Sequence, residues 1–335
     1  MMRLPPFQYL APTSLDDAVK MLAARGADAM LVAGGTDLFP NMKRRQFEPK
    51  FLIGLSGLRE LRGVRNGNGF VIGAGTTLTQ LSNHPTIQLA FPALTRAAGL
   101  VSTLQLRNAG TIGGNLCLDT RCNYYNQTFF WRKSIDFCMK KDGDPSRSSG
   151  QAICWVAPGG KRCWAISSTD CAPVAIALDA RVRLVGPNGA REIPAEALYR
   201  DDGIEYLTKQ PNEILTDLIL PPPDGLKSTY IKLRRRGAID FPILGVACAL
   251  RIAPNGLIEH ARIVLGAIAS YPLRAVEAEK ILVGQKLDDD VVDAAAEAAY
   301  KPAKPMDNAD AAYAWRKKMV RVNVARALRE LSAPN

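Results

Sequence analysis

The sequence predicts an α+β protein built from two domains. In residues 1–180, short apolar strands end in glycine-rich turns and are joined by short helices. In residues 181–335, strands predicted at 231–236, 245–252 and 261–268 come before helices predicted at 275–282, 291–299 and 307–331. The first part is expected to form two α+β subdomains, and the second an antiparallel sheet with helices.

Local signals place the elements of the first domain. Ser14 and Asp17 have the spacing of a capping box, apolar residues follow at helical intervals, and Gly26 marks the helix end. Residues 29–32 and 51–54 are predicted strands, and residues 85–100 are predicted to be helical. A strand at 182–185 precedes a turn at 186–189, and three prolines at 221–223 predict a rigid connector.

Composition limits the class of protein. The 335 residues are 47% apolar and 22% charged, as in soluble globular proteins. No apolar run is long enough for a membrane span, and the first residues lack the apolar core of a signal peptide, so a cytoplasmic protein is expected. A net charge of +11 suits nucleic acid, acidic ligands or an acidic protein, but no nucleic-acid motif accompanies it. We therefore expect no nucleic-acid partner.

Three glycine-rich turns lie at residues 33–37, 73–77 and 111–115. Glycine permits positive φ and lets backbone N–H groups approach a phosphate, although many tight turns need glycine for geometry alone. None of the three has the G-x-G-x-x-G spacing of a Rossmann fingerprint, which disfavours a conventional dinucleotide fold.

Six of the seven cysteines lie between residues 117 and 171. They are Cys117, Cys122, Cys138, Cys154, Cys163 and Cys171. Neither histidine is in this region, so a metal site here would be all-cysteine and could hold zinc or an iron–sulfur cluster. The absence of a Cys-x-x-Cys pair leaves open free structural cysteines, and Cys248 is expected in the core. No grouping predicts a catalytic base or nucleophile on this chain.

The glycine turns and residues 170–173 resemble the FAD-binding subunits of molybdenum hydroxylases, the xanthine and carbon monoxide dehydrogenase group. Further similar segments lie at 230–234, 240–241 and 310–316, so the resemblance covers nearly the whole chain. It implies FAD between two α+β subdomains, followed by the family's C-terminal domain. The implied cofactor-binding residues are Ala33, Gly34, Gly35, Thr36, Asp37, Leu38, Thr111, Gly114 and Asn115 for the pyrophosphate, Asp170 for the ribityl chain and Lys232 near the flavin.

The cysteine-rich segment at about 118–168 is an insertion relative to most of that family. Residues 121–138 resemble the flavoprotein (beta) subunits of 4-hydroxybenzoyl-CoA reductases, which carry an additional [4Fe-4S] cluster there. The resemblance implies cluster ligands at Cys122, Cys138, Cys154 and Cys163, and leaves Cys117 and Cys171 unused. The stretch 140–153 is longer than in those reductases. Because Cys154 directly follows this stretch, its assignment as a cluster ligand is the one that the difference in length affects.

The same resemblance implies a function. Electrons would pass from ferredoxin through the [4Fe-4S] cluster to FAD, and on to [2Fe-2S] clusters and a molybdenum cofactor on partner subunits. The complex would be a heterotrimer, itself dimerised, that removes the phenolic hydroxyl of 4-hydroxybenzoyl-CoA to give benzoyl-CoA. One alternative is the FAD subunit of an oxidising xanthine-, aldehyde- or CO-type dehydrogenase with structural cysteines. Another is a zinc-stapled nucleotide-binding module.

Basic residues outnumber acidic ones between residues 121 and 164. The eight basic residues are Arg121, Arg132, Lys133, Lys140, Lys141, Arg147, Lys161 and Arg162; the three acidic ones are Asp136, Asp142 and Asp144. Because ferredoxins are generally acidic, this patch predicts a ferredoxin docking site near the cysteines. A solvated basic face or a surface covered by a partner subunit is the alternative.

Overall fold

The computed structural model describes residues 3–144 and 152–332. The chain opens with a three-stranded parallel sheet in the order β1-β3-β2. Its strands are β1 (Gln8–Leu10), β2 (Ala29–Val32) and β3 (Phe51–Gly54), and helix α1 (Leu15–Arg25) joins the first two. The Ser14 hydroxyl accepts the Asp17 N–H at 3.1 Å and Gly26 ends the helix at φ 53°, so the predicted helix is confirmed.

A five-stranded antiparallel sheet forms the second unit, in the order β4-β5-β8-β6-β7. The strands are β4 (Val64–Gly67), β5 (Gly69–Gly73), β6 (Arg181–Gly186), β7 (Gly189–Pro194) and β8 (Ile214–Leu220). Two strands precede residue 180 and three follow it. The predicted domain boundary at 180 therefore falls within the chain path of one sheet, and it stays a prediction.

Helix α2 (Leu38–Lys43) lies between β2 and β3, and short helices fill the segment between β5 and β6. They are α3 (Leu78–Ser82), α4 (Pro85–Ala90), α5 (Pro92–Leu100), α6 (Leu104–Arg107), α7 (Ile112–Leu116), α8 (Phe129–Ser134) and α9 (Cys171–Ala177). The predicted helical region at 85–100 is confirmed as α4 and α5. It is divided there because Pro92 starts a new helix.

The C-terminal unit is an antiparallel sheet in the order β12-β11-β10-β9, with helices on both faces. Its elements are β9 (Lys227–Leu233), β10 (Leu244–Ile252), β11 (Ile258–Gly266), β12 (Leu273–Arg274), α10 (Val276–Leu282), α11 (Asp289–Tyr300) and α12 (Tyr313–Ser332). Helices α10 to α12 bury an apolar core against one face, and α5 and α9 contact the other face. Cys248 lies on β10 at 0% exposure, which confirms it as a core residue.

The last helix begins later than its sequence predicts. Residues 307–312 are not helical, because this segment turns to bury Asn308 against the cysteine-rich region. The Asn308 carbonyl accepts the Asn123 N–H at 2.9 Å, and its side-chain amide donates to the Trp164 carbonyl. The C-terminal unit thus holds the cysteine-rich insertion in place.

None of the helices in the described ranges combines the length and the hydropathy that a membrane span needs.

Candidate functional site

The first glycine turn, residues 33–37, follows strand β2. Gly35 has φ 68°, which favours glycine, and a Cβ on Gly34 would lie 2.0 Å from the Ala109 carbonyl oxygen. Within residues 3–144 and 152–332, the N–H groups of Gly34, Gly35 and Thr36 donate no hydrogen bond. The turn therefore presents free backbone donors of the kind that bind phosphate oxygens.

The second turn, residues 111–115, is pressed against the first through Ala109. The Thr111 hydroxyl accepts the Gly114 N–H at 3.1 Å, and the Asn115 amide oxygen accepts the Cys171 N–H at 3.0 Å. Gly114 is exposed, and a Cβ there would meet only the Thr111 hydroxyl, at 3.2 Å. Gly114 is thus the position of this turn where a ligand could approach the backbone.

The third turn, around residues 73–77, supports the second. The Ala74 carbonyl accepts the Gly113 N–H at 2.9 Å, and a Cβ on Gly113 would lie 2.6 Å from the Ala74 Cβ. The Gly75 N–H donates to the Leu61 carbonyl at 2.7 Å. These glycines allow close backbone packing behind the turn at 111–115.

Asp37 is held by two buried side chains. Its carboxylate forms an ion pair with Arg121 and accepts a hydrogen bond from the Asn41 amide at 2.9 Å. The Arg121 guanidinium also lies 4.7 Å from the centre of the Phe241 ring, and burial lowers its pKa to about 10. Arg121 therefore joins the first glycine turn to the C-terminal unit and to Cys122, its neighbour in sequence.

Asp170 and Lys232 are brought together, as a buried ion pair. The Lys232 ammonium lies 2.9 Å from one Asp170 oxygen, and the Tyr230 hydroxyl donates to the other at 2.8 Å. Burial raises the pKa of the Asp170 carboxyl, while Lys232 and Tyr230 oppose that rise. The two side chains are 3% and 1% exposed, so they neutralise each other in the interior. Their predicted contacts with FAD stay predictions.

Four cysteines line one small pocket, with a cavity volume of about 10 Å³. They are Cys122, Cys138, Cys154 and Cys163, and each is at most 7% exposed. Cys117 and Cys171 are not among the residues that line this pocket. The structure thus places in one pocket the four cysteines that the resemblance implies as cluster ligands, and not the two that the resemblance leaves unused.

Backbone N–H groups point at the sulfur atoms of this pocket. The Ala165 N–H donates to the Cys163 sulfur at 3.4 Å, and N–H groups two and three residues after Cys122 and Cys138 act on those sulfurs in the same way. Burial raises the pKa of Cys122 to about 12 and of Cys163 to about 11, and these N–H groups lower it.

The described part of the chain contains no preformed metal site. Among the residues that the structure describes, no three or more His, Cys, Asp and Glu side chains form a site for a single ion. A tetrahedral zinc ion would hold each sulfur about 2.3 Å away. Since this finding applies to any metal, it favours neither zinc nor an iron–sulfur cluster.

The predicted basic docking patch loses three of its residues. The side chains of Arg121, Arg132 and Lys140 are at most 6% exposed, and each pairs with a carboxylate. Arg132 binds Asp142 at 3.0 Å and donates to two backbone carbonyls of the turn after α2. Arg147 lies outside the described residues. Arg121, Arg132 and Lys140 hold the insertion together and cannot form a docking surface. Lys133 and Lys161 are exposed, so docking at the rest of the patch stays a prediction.

Two family models match this chain. The model for the FAD binding domain in molybdopterin dehydrogenase matches residues 5–223, and the model for the CO dehydrogenase flavoprotein C-terminal domain matches residues 228–331. The chain belongs to this family. It is an FAD-binding oxidoreductase subunit of the molybdenum hydroxylases, so the predicted family and fold are confirmed.

Individual relatives agree with that assignment. The FAD subunit is 31% identical to the carbon monoxide dehydrogenase medium chain of Hydrogenophaga pseudoflava, over 91% of this chain and 89% of the relative. It is 28% identical to the nicotinate dehydrogenase FAD-subunit of Eubacterium barkeri, over 86% and 83%. The solved carbon monoxide dehydrogenase from Hydrogenophaga pseudoflava superposes with a TM-score of 0.80 at 31% identity, and 98% of each chain is covered.

Proposed function

We propose that this FAD subunit transfers electrons within a molybdenum dehydrogenase, and that its four-cysteine pocket holds a second redox group, a [4Fe-4S] cluster. The observation that supports the cluster is that Cys122, Cys138, Cys154 and Cys163 line one pocket. The direction of electron flow, the substrate and the partner subunits are separate parts of the proposal.

The glycine turns suit the pyrophosphate of FAD. Free N–H groups at residues 34–36 provide donors, and the exposed backbone of Gly114 leaves room for close approach. Residues 33–38 would hold the pyrophosphate from one side, and Thr111, Gly114 and Asn115 from the other. FAD, when bound, supplies the exchange of one or two electrons.

The cysteine pocket offers the ligand type and number of an iron–sulfur cluster. Such clusters are held by four thiolates, and hydrogen bonds to the sulfurs tune their potential. The pocket offers four cysteines and N–H groups directed at three of the sulfurs. A cluster, when bound, would supply one-electron transfer beside the flavin domain.

The names of the relatives favour substrate oxidation. They are dehydrogenases of carbon monoxide and nicotinate, and this supports the oxidising alternative over reductive dehydroxylation. The cysteine pocket favours the second candidate, a ferredoxin-linked 4-hydroxybenzoyl-CoA reductase, because that resemblance includes the extra cluster. Analysis of which acyl-CoA or aldehyde the purified complex turns over would separate the two.

The partners follow from the family. The names "medium chain" and "FAD-subunit" describe parts of larger enzymes, which supports assembly with a molybdenum-cofactor subunit and a [2Fe-2S] subunit in a dimerised heterotrimer. We also propose a cytoplasmic location, because all seven cysteines are free thiols.

Serine variants of the pocket cysteines test the cluster. In anaerobically purified protein, Cys122→Ser, Cys138→Ser, Cys154→Ser and Cys163→Ser should each lose most of the iron assigned to this chain, since oxygen is a poorer ligand than thiolate for the cluster. FAD should remain. Iron, labile sulfide, flavin and the visible spectrum of this subunit would be measured for each variant.

Cys117→Ser and Cys171→Ser are the matched controls, because both residues lie nearby but outside the pocket. Both should retain iron. Wild-type protein without iron would refute the cluster, and a colourless protein with zinc would support the zinc-stapled alternative. Full iron in Cys154→Ser would exclude Cys154 as a ligand.

A further inference from the structure

Lys140 is a buried lysine at the edge of the cysteine pocket. Its ammonium group lies 2.8 Å from an Asp119 carboxylate oxygen and 2.8 Å from the Thr120 hydroxyl, and it donates to the Gly203 carbonyl at 2.6 Å. The Lys140 and Asp119 side chains are only 6% and 8% exposed. Water therefore screens this charge poorly, and its field reaches the neighbouring groups.

The charge of Lys140 acts on the pocket, since it lowers the pKa of the Cys163 thiol. Lys140 is one of the residues that line it, together with the four cysteines, whereas Asp119 is not. The ammonium also lies 4.9 Å from the ring centre of Tyr125, another lining residue. Asp119 neutralises Lys140 and also hydrogen-bonds the Tyr125 hydroxyl, so both members of the ion pair lie beside the pocket lining.

The loop that Lys140 holds is packed directly on one of these sulfurs. A Cβ on Gly203 would lie 2.6 Å from the Cys163 sulfur, and the Gly203 N–H donates to the Cys163 carbonyl at 3.0 Å. Lys140 therefore connects two of the pocket cysteines. It lies two residues after Cys138 in sequence, and its ammonium donates to the Gly203 carbonyl of the loop that packs on Cys163.

We propose that Lys140 sets the reduction potential of the redox group in the cysteine pocket, with Asp119 as its counter-charge; the inference rests on the proposed cluster. One-electron reduction adds one negative charge to the pocket and forms or breaks no bond in this chain. A fixed cation beside the sulfurs stabilises that added charge, and so makes reduction more favourable.

Two substitutions should shift the potential in opposite directions. Lys140→Met removes the cation, and should lower the equilibrium constant for reduction tenfold or more, a shift of about 59 mV to more negative potential. Asp119→Asn keeps the cation and removes its counter-charge, so the potential should become more positive. Lys141→Met is the matched control, because Lys141 is the adjacent, partly exposed lysine paired with Asp142, and should leave the potential unchanged.

The measurement is a dithionite titration of the anaerobically purified protein, followed by the EPR signal of the reduced cluster. Iron content is determined first, so absence of iron in the wild type would overturn the cluster itself and not the role of Lys140 alone. Iron-loaded variants with unchanged potentials would overturn the role of Lys140. Shifts of the same sign in Lys140→Met and Asp119→Asn would show a structural disturbance instead. If Lys140→Met does not fold, Asp119→Asn decides, since an unchanged potential there overturns the inference.

Discussion

Gly114→Val is expected to abolish FAD binding while the fold persists. The backbone of Gly114 is exposed on the turn where the pyrophosphate is proposed to lie, and a Cβ there meets only the Thr111 hydroxyl, at 3.2 Å. The valine side chain would therefore occupy ligand space and leave the core unchanged. Flavin absorbance per protein should fall at least tenfold, with an unchanged circular dichroism spectrum.

Gly57→Val is the matched control for this substitution. Gly57 is exposed, lies in a turn after β3, and has no atom within 4 Å of an added Cβ. It should retain stoichiometric FAD. If Gly114→Val also retained it, the turn at residues 111–115 would lie outside the pyrophosphate site, whatever the family resemblance implies.

Local features of this chain could be predicted from sequence. The start of α1 at Ser14 and its end at Gly26 depend on hydrogen bonds and φ angles within a few residues. Strand β2 and the glycine turn after it are equally local. The motifs at residues 33–37 and 111–115 also carried the family, because close backbone approach to a ligand restricts those positions to glycine and small residues.

Long-range pairing could not be predicted in the same way. The glycines at 73 and 75 have the composition of a phosphate loop, but the Gly75 N–H binds Leu61 and Ala74 supports the turn at 111–115. Lys140 belongs to a basic segment that is typical of a solvated face, yet Asp119 and the Gly203 loop bury it. Such partners become neighbours only when the chain has folded.

The cysteine pocket and the buried pair of Asp170 and Lys232 also depend on contacts between segments that are distant in sequence. Nothing in the spacing of Cys122, Cys138, Cys154 and Cys163 determines that they share a pocket; the resemblance supplied that set. The structure adds the shared pocket and the N–H groups directed at its sulfurs. Likewise, Lys232 and Asp170 are 62 residues apart in sequence, and their pairing depends on β9 packing near the start of α9.

Lys232→Met is expected to destabilise the protein by about 3–5 kcal/mol, the cost of leaving one member of a buried ion pair without its partner. Asp170 would remain 2% exposed, with only the Tyr230 hydroxyl to satisfy its charge. The measurement is urea unfolding of the FAD-free protein, followed by circular dichroism. Lys227→Met, on the same strand and only partly buried, should change stability by no more than about 0.5 kcal/mol.

The double variant Asp170→Asn/Lys232→Met separates the ion pair from general packing. It removes both charges, so it should recover much of the stability that Lys232→Met loses, since a neutral amide can still accept the Tyr230 hydroxyl. A double variant as unstable as Lys232→Met would contradict this account, because the loss would then come from the volume of the lysine chain. If instead the double variant is stable but loses FAD, the buried pair serves the cofactor more than the fold, as the resemblance implied for Asp170 and Lys232.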